Sequence, residues 1–322
     1  MIAIKLRAGL GNNLFQYAAA RSLAESRGYD FCYFPLRTTN YYWRAFRKGL
    51  NRLRRRDSSP MRKQIAQADI GRYFTLGDER WLRQFMLRAA WSVTTGSRKR
   101  RFSPRRKTVS DRYDYEIFDD QVFDVGDWTE LSGAFQSEAY FADNRERVQD
   151  WFKLRPRYAA RLERLEQSWP APVEKRCCIH VRRGDQLLHD KGLAWNNQGW
   201  ALPLSYYQAA VERLPRDLFY VIATDSPDYV RENFGFIGKL HICVDNPEPI
   251  DISLFGLCKY NIVANSTFSW WGAWLSRIED KVVIAPEYHM GWSKRKWIPW
   301  SFEHHPRDWT YIDVLDLVEG NN

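Results

Sequence analysis

The chain has 322 residues, 44% of them hydrophobic and 16% aromatic, with fifteen tryptophans and a formal net charge of +10. That length exceeds the usual reach of one hydrophobic core, so two domains are expected, and the aromatic content excludes a disordered or purely electrostatic protein. The charge does not read as nucleic-acid binding, because residues 41–107 hold 20 Lys and Arg against 4 acids while the rest of the chain is net acidic.

In chain order, Met1 to Leu6 forms a short apolar strand that breaks at Gly9 and Gly11. Leu14, Phe15, Ala18, Ala19 and Leu23 then recur at helical spacing. Strand, glycine turn and helix open a nucleotide-binding type of α/β domain. Lys5 and Arg7 interrupt the first apolar run before a signal-peptide core forms, and no stretch approaches the roughly 20 apolar residues of a membrane span. Five cysteines without disulfide spacing read as buried, reduced thiols, so a cytoplasmic compartment is expected.

The basic stretch holds two amphipathic patterns, one through Trp43, Phe46, Leu50 and Leu53, the other through Trp81, Leu82, Phe85, Met86, Ala89 and Ala90. They read as helices packed on the first domain with a solvated basic face, or as a surface for an anionic membrane or anionic acceptor. From Phe118 to Phe135 short strands and turns are expected, and the helical period from Asp143 to Gln167 is interrupted at Pro156. Pro170 and Pro172 mark a linker, which divides the chain into residues 1–170 and 171–322.

Beyond the linker, strands are expected from Cys177 to Val181, Leu218 to Ala223, Leu240 to Val244, Ile262 to Ala264 and Val282 to Ala285. Helices alternate with them, from Leu204 to Leu214, through Tyr229 and Phe234, from Ile252 to Tyr260 and from Phe268 to Leu275. Such alternation implies a parallel sheet wound with helices, whose ligands sit at the carboxyl ends of the strands.

Three strand ends carry chemistry. His180-Val181-Arg182-Arg183-Gly184-Asp185 places two arginines before a turning glycine, which suits a bidentate grip on phosphate or, alternatively, an ion pair with Asp185. Ser266-Thr267-Phe268 opens a helix whose amides either bind an anion or are simply capped. Asp225 after its strand either meets a base edge or ribose, or caps the next helix.

The run Gly9-Leu10-Gly11-Asn12-Asn13-Leu14-Phe15-Gln16-Tyr17-Ala18, the motif His180 to Asp185 and the stretch from Leu257 to Leu275 together resemble the three signatures of family 11 glycosyltransferases, the α-1,2-fucosyltransferase family. Ala8 stands where that family's first glycine is usual, Asn13 replaces glutamine and Leu14 replaces methionine. The resemblance is strong from Met1 to Gly28 and from Cys178 to Pro286 and poor across the basic stretch. It implies a GT-B-like α/β fold of two facing Rossmann-like domains with parallel sheets, residues 1–170 being mainly acceptor-side and residues 171–322 binding the GDP-sugar.

By that resemblance, L-fucose would pass with inversion from GDP-β-L-fucose to a galactoside hydroxyl. Arg182 would hold the β-phosphate, with Arg183 and His180 in support, the amides of Ser266, Thr267 and Phe268 beside them, and Asp225 on the base or ribose. Gly9, Gly11, Asn12 and Asn13 would line the cleft from the first domain. Asp190 is the expected base, with Asp185 and His189 as competitors. No Asp-x-Asp occurs, so no metal and no cofactor are expected. The expected partners are GDP-fucose, an oligosaccharide or lipid-linked glycan acceptor, and peripherally an anionic membrane, with no nucleic acid. A transferase for another GDP-linked sugar, or an inactive binding module, remains the alternative.

Overall fold

The computed structural model describes residues 1–35, 70–77, 81–96, 107–110, 118–184, 186–187, 200–288, 292 and 306–319. The expected helix through Trp43, most of the basic stretch, and Asp185, His189 and Asp190 lie outside the described residues.

Strands β1 (Ile2–Lys5), β2 (Phe31–Phe34), β3 (Lys107–Ser110) and β4 (Thr129–Ser132) form one sheet in the order β2-β1-β4-β3. A second sheet contains β5 (Arg176–Val181), β6 (Phe219–Thr224), β7 (Leu240–Cys243), β8 (Tyr260–Ile262), β9 (Val282–Pro286) and β10 (Thr310–Ile312), in the order β10-β9-β8-β5-β6-β7. Every strand pairing in both sheets is parallel. Helices α1 (Leu10–Ser26) and α2 (Trp81–Gly96) accompany the first sheet, and α3 (Arg145–Trp151) and α4 (Pro156–Gln167) lead toward the second. Helices α5 (Leu204–Glu212), α6 (Pro227–Asn233), α7 (Glu248–Ser253), α8 (Thr267–Leu275) and α9 (Val314–Glu319) alternate with the second sheet's strands. This is an α/β fold of two helix-flanked parallel sheets, of the GT-B-like class.

Both faces of β5 are covered, which is why its sequence is apolar without alternation, and all five cysteines are buried and unbridged. In the second sheet the chain winds one way from β5 through β6 to β7, then returns to place β8 on the other side of β5. The crevice at that reversal is where open parallel sheets hold ligands. The first sheet reverses in the same way between β1 and β4.

The two reversals meet through α1 and α8. A Cβ on Gly11 would stand 2.5 Å from the carbonyl carbon of Thr267 and 2.6 Å from the amide nitrogen of Phe268, so only glycine lets the first turns of the two helices touch. One turn further on, the Phe15 ring lies 4.5 Å from Trp270 and 4.9 Å from Trp271. The helices therefore start together and run the same way. Trp270, Trp271 and Trp274 are fully buried in a core that also contains Leu14, Phe15, Phe141 and Phe152 from the first half of the chain. At the far end of α8, Trp274 Nε1 donates to Glu138 Oε2 (2.7 Å), and Arg277 pairs with Asp150.

Three expectations change. Gly11 serves this close approach inside α1 rather than a turn before it. The helix expected from Ile252 to Tyr260 starts earlier, at Glu248 with proline in its first turn, and gives way to a 3-10 turn at Leu254–Leu257, because Tyr260–Ile262 is drawn into the sheet between β5 and β9. In α2, Phe85, Met86, Ala89 and Ala90 face outward, while Gln84 and Trp91 pack inward.

Ala8 adopts φ of 65°, the left-handed region, which explains the glycine usual at that position. Ala8→Gly should therefore raise stability by on the order of 1 kcal/mol, whereas Gly11→Ala should lower it by about 1–3 kcal/mol as the two helices are pushed apart. Thermal unfolding of both variants measures this. A Gly11→Ala protein as stable as its parent would show that the helices separate without cost.

Candidate active site

Strand alternation sorts the residues around the end of β5. Cys178 faces the core beneath α8, and Cys177, Ile179 and Val181 face the opposite one. His180 follows Cys178, its ring 5.4 Å from Phe268. Arg183 falls on the other side, with its guanidinium 3.7 Å from the centre of the Tyr229 ring in α6, a cation–π contact. Arg182 instead sets its Nε 3.3 Å from Asp225 Oδ2. The adjacent arginines thus have separate surroundings.

Asp225, at the end of β6, is engaged by the turn that follows β5. Its Oδ1 accepts from the backbone amides of Arg183 (2.9 Å) and Gly184 (3.2 Å) and from Ser226 Oγ (3.1 Å). A Cβ on Gly184 would lie 2.8 Å from Oδ2, so the glycine admits the carboxylate. Through these contacts the aspartate acts within the protein, folding the turn and orienting Arg182.

His180 is buried, and among the described residues its Nδ1 has no hydrogen-bond partner. Burial lowers its pKa to about 3, the Arg182 cation adds to the effect and Asp225 opposes it. The imidazole is neutral at physiological pH, and its buried Nδ1 stands without a partner among the described residues.

Two helix starts complete the anion-attracting side. Ser266 caps α8 by accepting from the Phe268 amide (3.3 Å), and Ser266, Thr267 and Phe268 are half-buried at the crevice. Gly9 begins α1 without a side-chain cap. Neither helix has an acidic residue in its first turn. Each start carries roughly half a positive charge, so with Gly11 against Thr267 the two fields add where an anion would enter.

From the first sheet, Asn12 Oδ1 accepts from Gln136 Nε2 (2.6 Å) across the β1/β4 reversal. Gln16 Oε1 accepts from the Arg7 amide (2.8 Å), and its Nε2 donates to the Gly133 carbonyl (3.1 Å). Asn13 is buried and turns back, its Nδ2 donating to the Ala8 carbonyl (3.4 Å). Gln136 carries no motif signal; only the placement of β4 beside β1 brings it here, next to Phe135, which is fully buried at φ of 51°. Motif reading also passes over the Gln186, Asn265 and Trp200 network. Gln186 Nε2 donates to both oxygens of Asn265 (3.2 Å each), and Asn265 Nδ2 donates to the Trp200 carbonyl (2.6 Å). Asn265 therefore joins residues on either side of the 188–199 stretch, in which Asp190 falls. Among the described residues, no three His, Cys, Asp or Glu side chains converge to hold a metal.

Paired helix starts, Arg182 and Asp225 thus gather where the two parallel sheets reverse. The sequence profile of Glycosyl transferase family 11 matches residues 110–313, and the chain belongs to that family. The O-antigen biosynthesis glycosyltransferase WbnK of Escherichia coli is 33% identical over 126 residues, which cover 37% of this chain and 38% of that protein. An alpha-1,2-colitosyltransferase of Escherichia coli is 27% identical over 218 residues, 65% of this chain and 72% of that protein. Among solved structures, fucosyltransferase NodZ from Bradyrhizobium aligns over 84% of this chain and 92% of its own, at 14% identity and a TM-score of 0.44.

The depressed pKa of His180 ties stability to pH. A histidine that is neutral in the folded state and titrates near 6.5 when unfolded contributes fully above pH 6.5, and that contribution is lost as pH falls toward about 3. His180→Gln should therefore flatten the fall in unfolding midpoint between those values. Parallel pH–stability curves for the two proteins would show that the imidazole is already protonated in the fold.

Proposed function

We propose that the chain transfers L-fucose from GDP-β-L-fucose, with inversion, to a galactoside hydroxyl, forming an α-1,2 linkage. The observation that carries the reading is the meeting of two acid-free helix starts beside an arginine held by Asp225. A departing nucleoside diphosphate gains negative charge as the C1–O bond breaks, and preorganised donors at that point lower the barrier.

In this mechanism Arg182 meets the β-phosphate, the α8 amides at Thr267 and Phe268 meet its oxygens, and neutral His180 offers its ring nitrogen. The acceptor oxygen attacks C1 from the face opposite the leaving group, losing its proton to a base as GDP leaves. Asp190 is the proposed base, and Asp185 and His189 are the competitors that single substitutions separate. Gly9, Gly11 and Asn12 form the opposing wall. Membership of the family and the colitosyltransferase relative support an alternative donor, a GDP-linked colitose, for the same machinery. Product mass after incubating GDP-fucose, GDP-colitose and GDP-mannose with an oligosaccharide panel decides between donors. Binding of GDP without turnover on any of them would make the chain a binding module.

Arg182→Ala should lower turnover by about a hundred- to a thousandfold, roughly 3 kcal/mol, while remaining folded. Arg182→Lys should recover little, because a point charge does not reproduce the planar fork. Arg183→Lys should be milder, since a lysine also sits over an aromatic ring. The reverse order at saturating donor, with both variants folded, would transfer the phosphate role to Arg183.

The same arrangement leads us to propose catalysis without a divalent cation, the leaving charge being met by guanidinium and amides. Chelator should leave the rate unchanged. An obligatory Mg²⁺ or Mn²⁺ requirement would remove the basis for this leaving-group stabilisation.

A further inference from the structure

Amide side chains gather where β1 and β4 deliver their ends to α1, and they divide into two kinds. Gln16 is buried and uses both ends of its amide, accepting from the Arg7 backbone and donating to the Gly133 carbonyl, so it already staples the exits of β1 and β4 together. Asn13 is buried as well and donates back to the Ala8 carbonyl. Asn12 and Gln136 differ. Both are half-buried, and each spends one end of its amide on the other, Gln136 Nε2 donating to Asn12 Oδ1 at 2.6 Å. That leaves a donor, Asn12 Nδ2, and an acceptor, Gln136 Oε1, without partners among the described residues. Neither is one of the sealed orphan atoms of the interior, so both stay open to solvent.

The backbone under this pair is fixed on both sides. Asn12 follows Gly11, whose contact with Thr267 pins the first turn of α1. Gln136 stands between the fully buried Phe135 and Ser137, whose hydroxyl accepts from the Ala139 amide. An amide pair held in this way, one free donor beside one free acceptor, is pre-arranged for a neutral group that offers an acceptor and a donor side by side, as adjacent hydroxyls of a sugar ring do. The pair carries no charge, so a phosphate finds no counter-ion in it, whereas Arg182 and the two helix starts do offer positive charge.

We propose that Asn12 and Gln136 bind the acceptor sugar, Asn12 Nδ2 donating to one ring hydroxyl and Gln136 Oε1 accepting from its neighbour. The inference rests on the galactoside acceptor proposed above and names the hydroxyls by which it is held. With O2 of a terminal β-galactoside as the attacking oxygen, the adjacent ring pair that remains is O3 and O4, so these are the hydroxyls gripped. Consecutive Cα atoms are about 3.8 Å apart, so a sugar held by Asn12 lies next to the joint made by Gly11, where the leaving group would sit.

The experiment reads binding without turnover. Methyl β-D-galactopyranoside and its 3-deoxy, 4-deoxy and 6-deoxy analogues are titrated into the full chain in the presence of GDP and followed by saturation-transfer NMR. For the wild type, loss of O3 or of O4 should weaken binding by about two- to tenfold, and loss of O6 should cost less. Gln136→Ala should bind the parent galactoside more weakly by a similar factor and should no longer distinguish one of the first two analogues from the parent, because the partner of that hydroxyl is already gone. Its affinity for GDP, by calorimetry, should match the wild type. The wild-type series needs no substitution and decides by itself where the variant does not fold. Four results would overturn the proposal: no galactoside binding by the wild type, equal affinity for the parent and its 3- and 4-deoxy analogues, both penalties retained in Gln136→Ala, or weakened GDP binding by that variant, which would assign the pair to the donor. If GDP-fucose fails as a donor while the deoxy pattern holds, the donor reading falls and the sugar site stands.

Discussion

The backbone contact between Gly11 and Thr267 is the constraint on which the site depends. Two helices that start at one point and run in one direction place like partial charges together, an arrangement unfavourable by itself and favourable once an anion is present. The cost is carried by the aromatic core behind it, where Phe15 from one half of the chain is packed against Trp270 and Trp271 from the other. Glu138 and Asp150 then fasten the far end of α8, so the helix supporting one sheet is buried as deeply in the other half's core.

Around that joint, polar groups are arranged to hold their neighbours in place. Asp225 spends one oxygen on the backbone of Arg183 and Gly184 and sets the other beside Arg182, so the turn and the guanidinium are fixed by one carboxylate. Gln16 ties the exit of β1 to the exit of β4, and Asn265 ties Gln186 to Trp200. In each case an amide or carboxylate bridges segments distant in sequence, which fixes geometry at the carboxyl ends of the strands, where ligands of such sheets bind.

Edge protection also decides which face of α2 turns inward. The end of a parallel sheet must be covered or blunted, and Gln84 contributes by meeting the Phe31 carbonyl and the Tyr33 amide of β2. With Gln84, Trp91 and Arg88 turned toward the sheet, Phe85 and Met86 lie on the other side of the helix.

Much of this was legible in the chain itself. The apolar runs of β1, β5, β6 and β9 announce parallel, doubly covered strands, and the residues that follow them, His180 to Gly184 and Ser266 to Phe268, are local in sequence and so were visible as a candidate site. The sequence could not reveal β2, β3 or β10, which have 4, 4 and 3 residues and too little pattern to stand apart from loops. Nor could it say which face of α2 is buried, because Gln84 is drawn inward by backbone groups of a strand about fifty residues away, against its polarity. Gln136 meets Asn12 because strand order sets β4 beside β1, and Gly11 meets Thr267 because the two reversals face one another. Residue type and spacing determined the chemistry on offer; contacts between segments far apart in sequence, which have no local signal, decided where each group points.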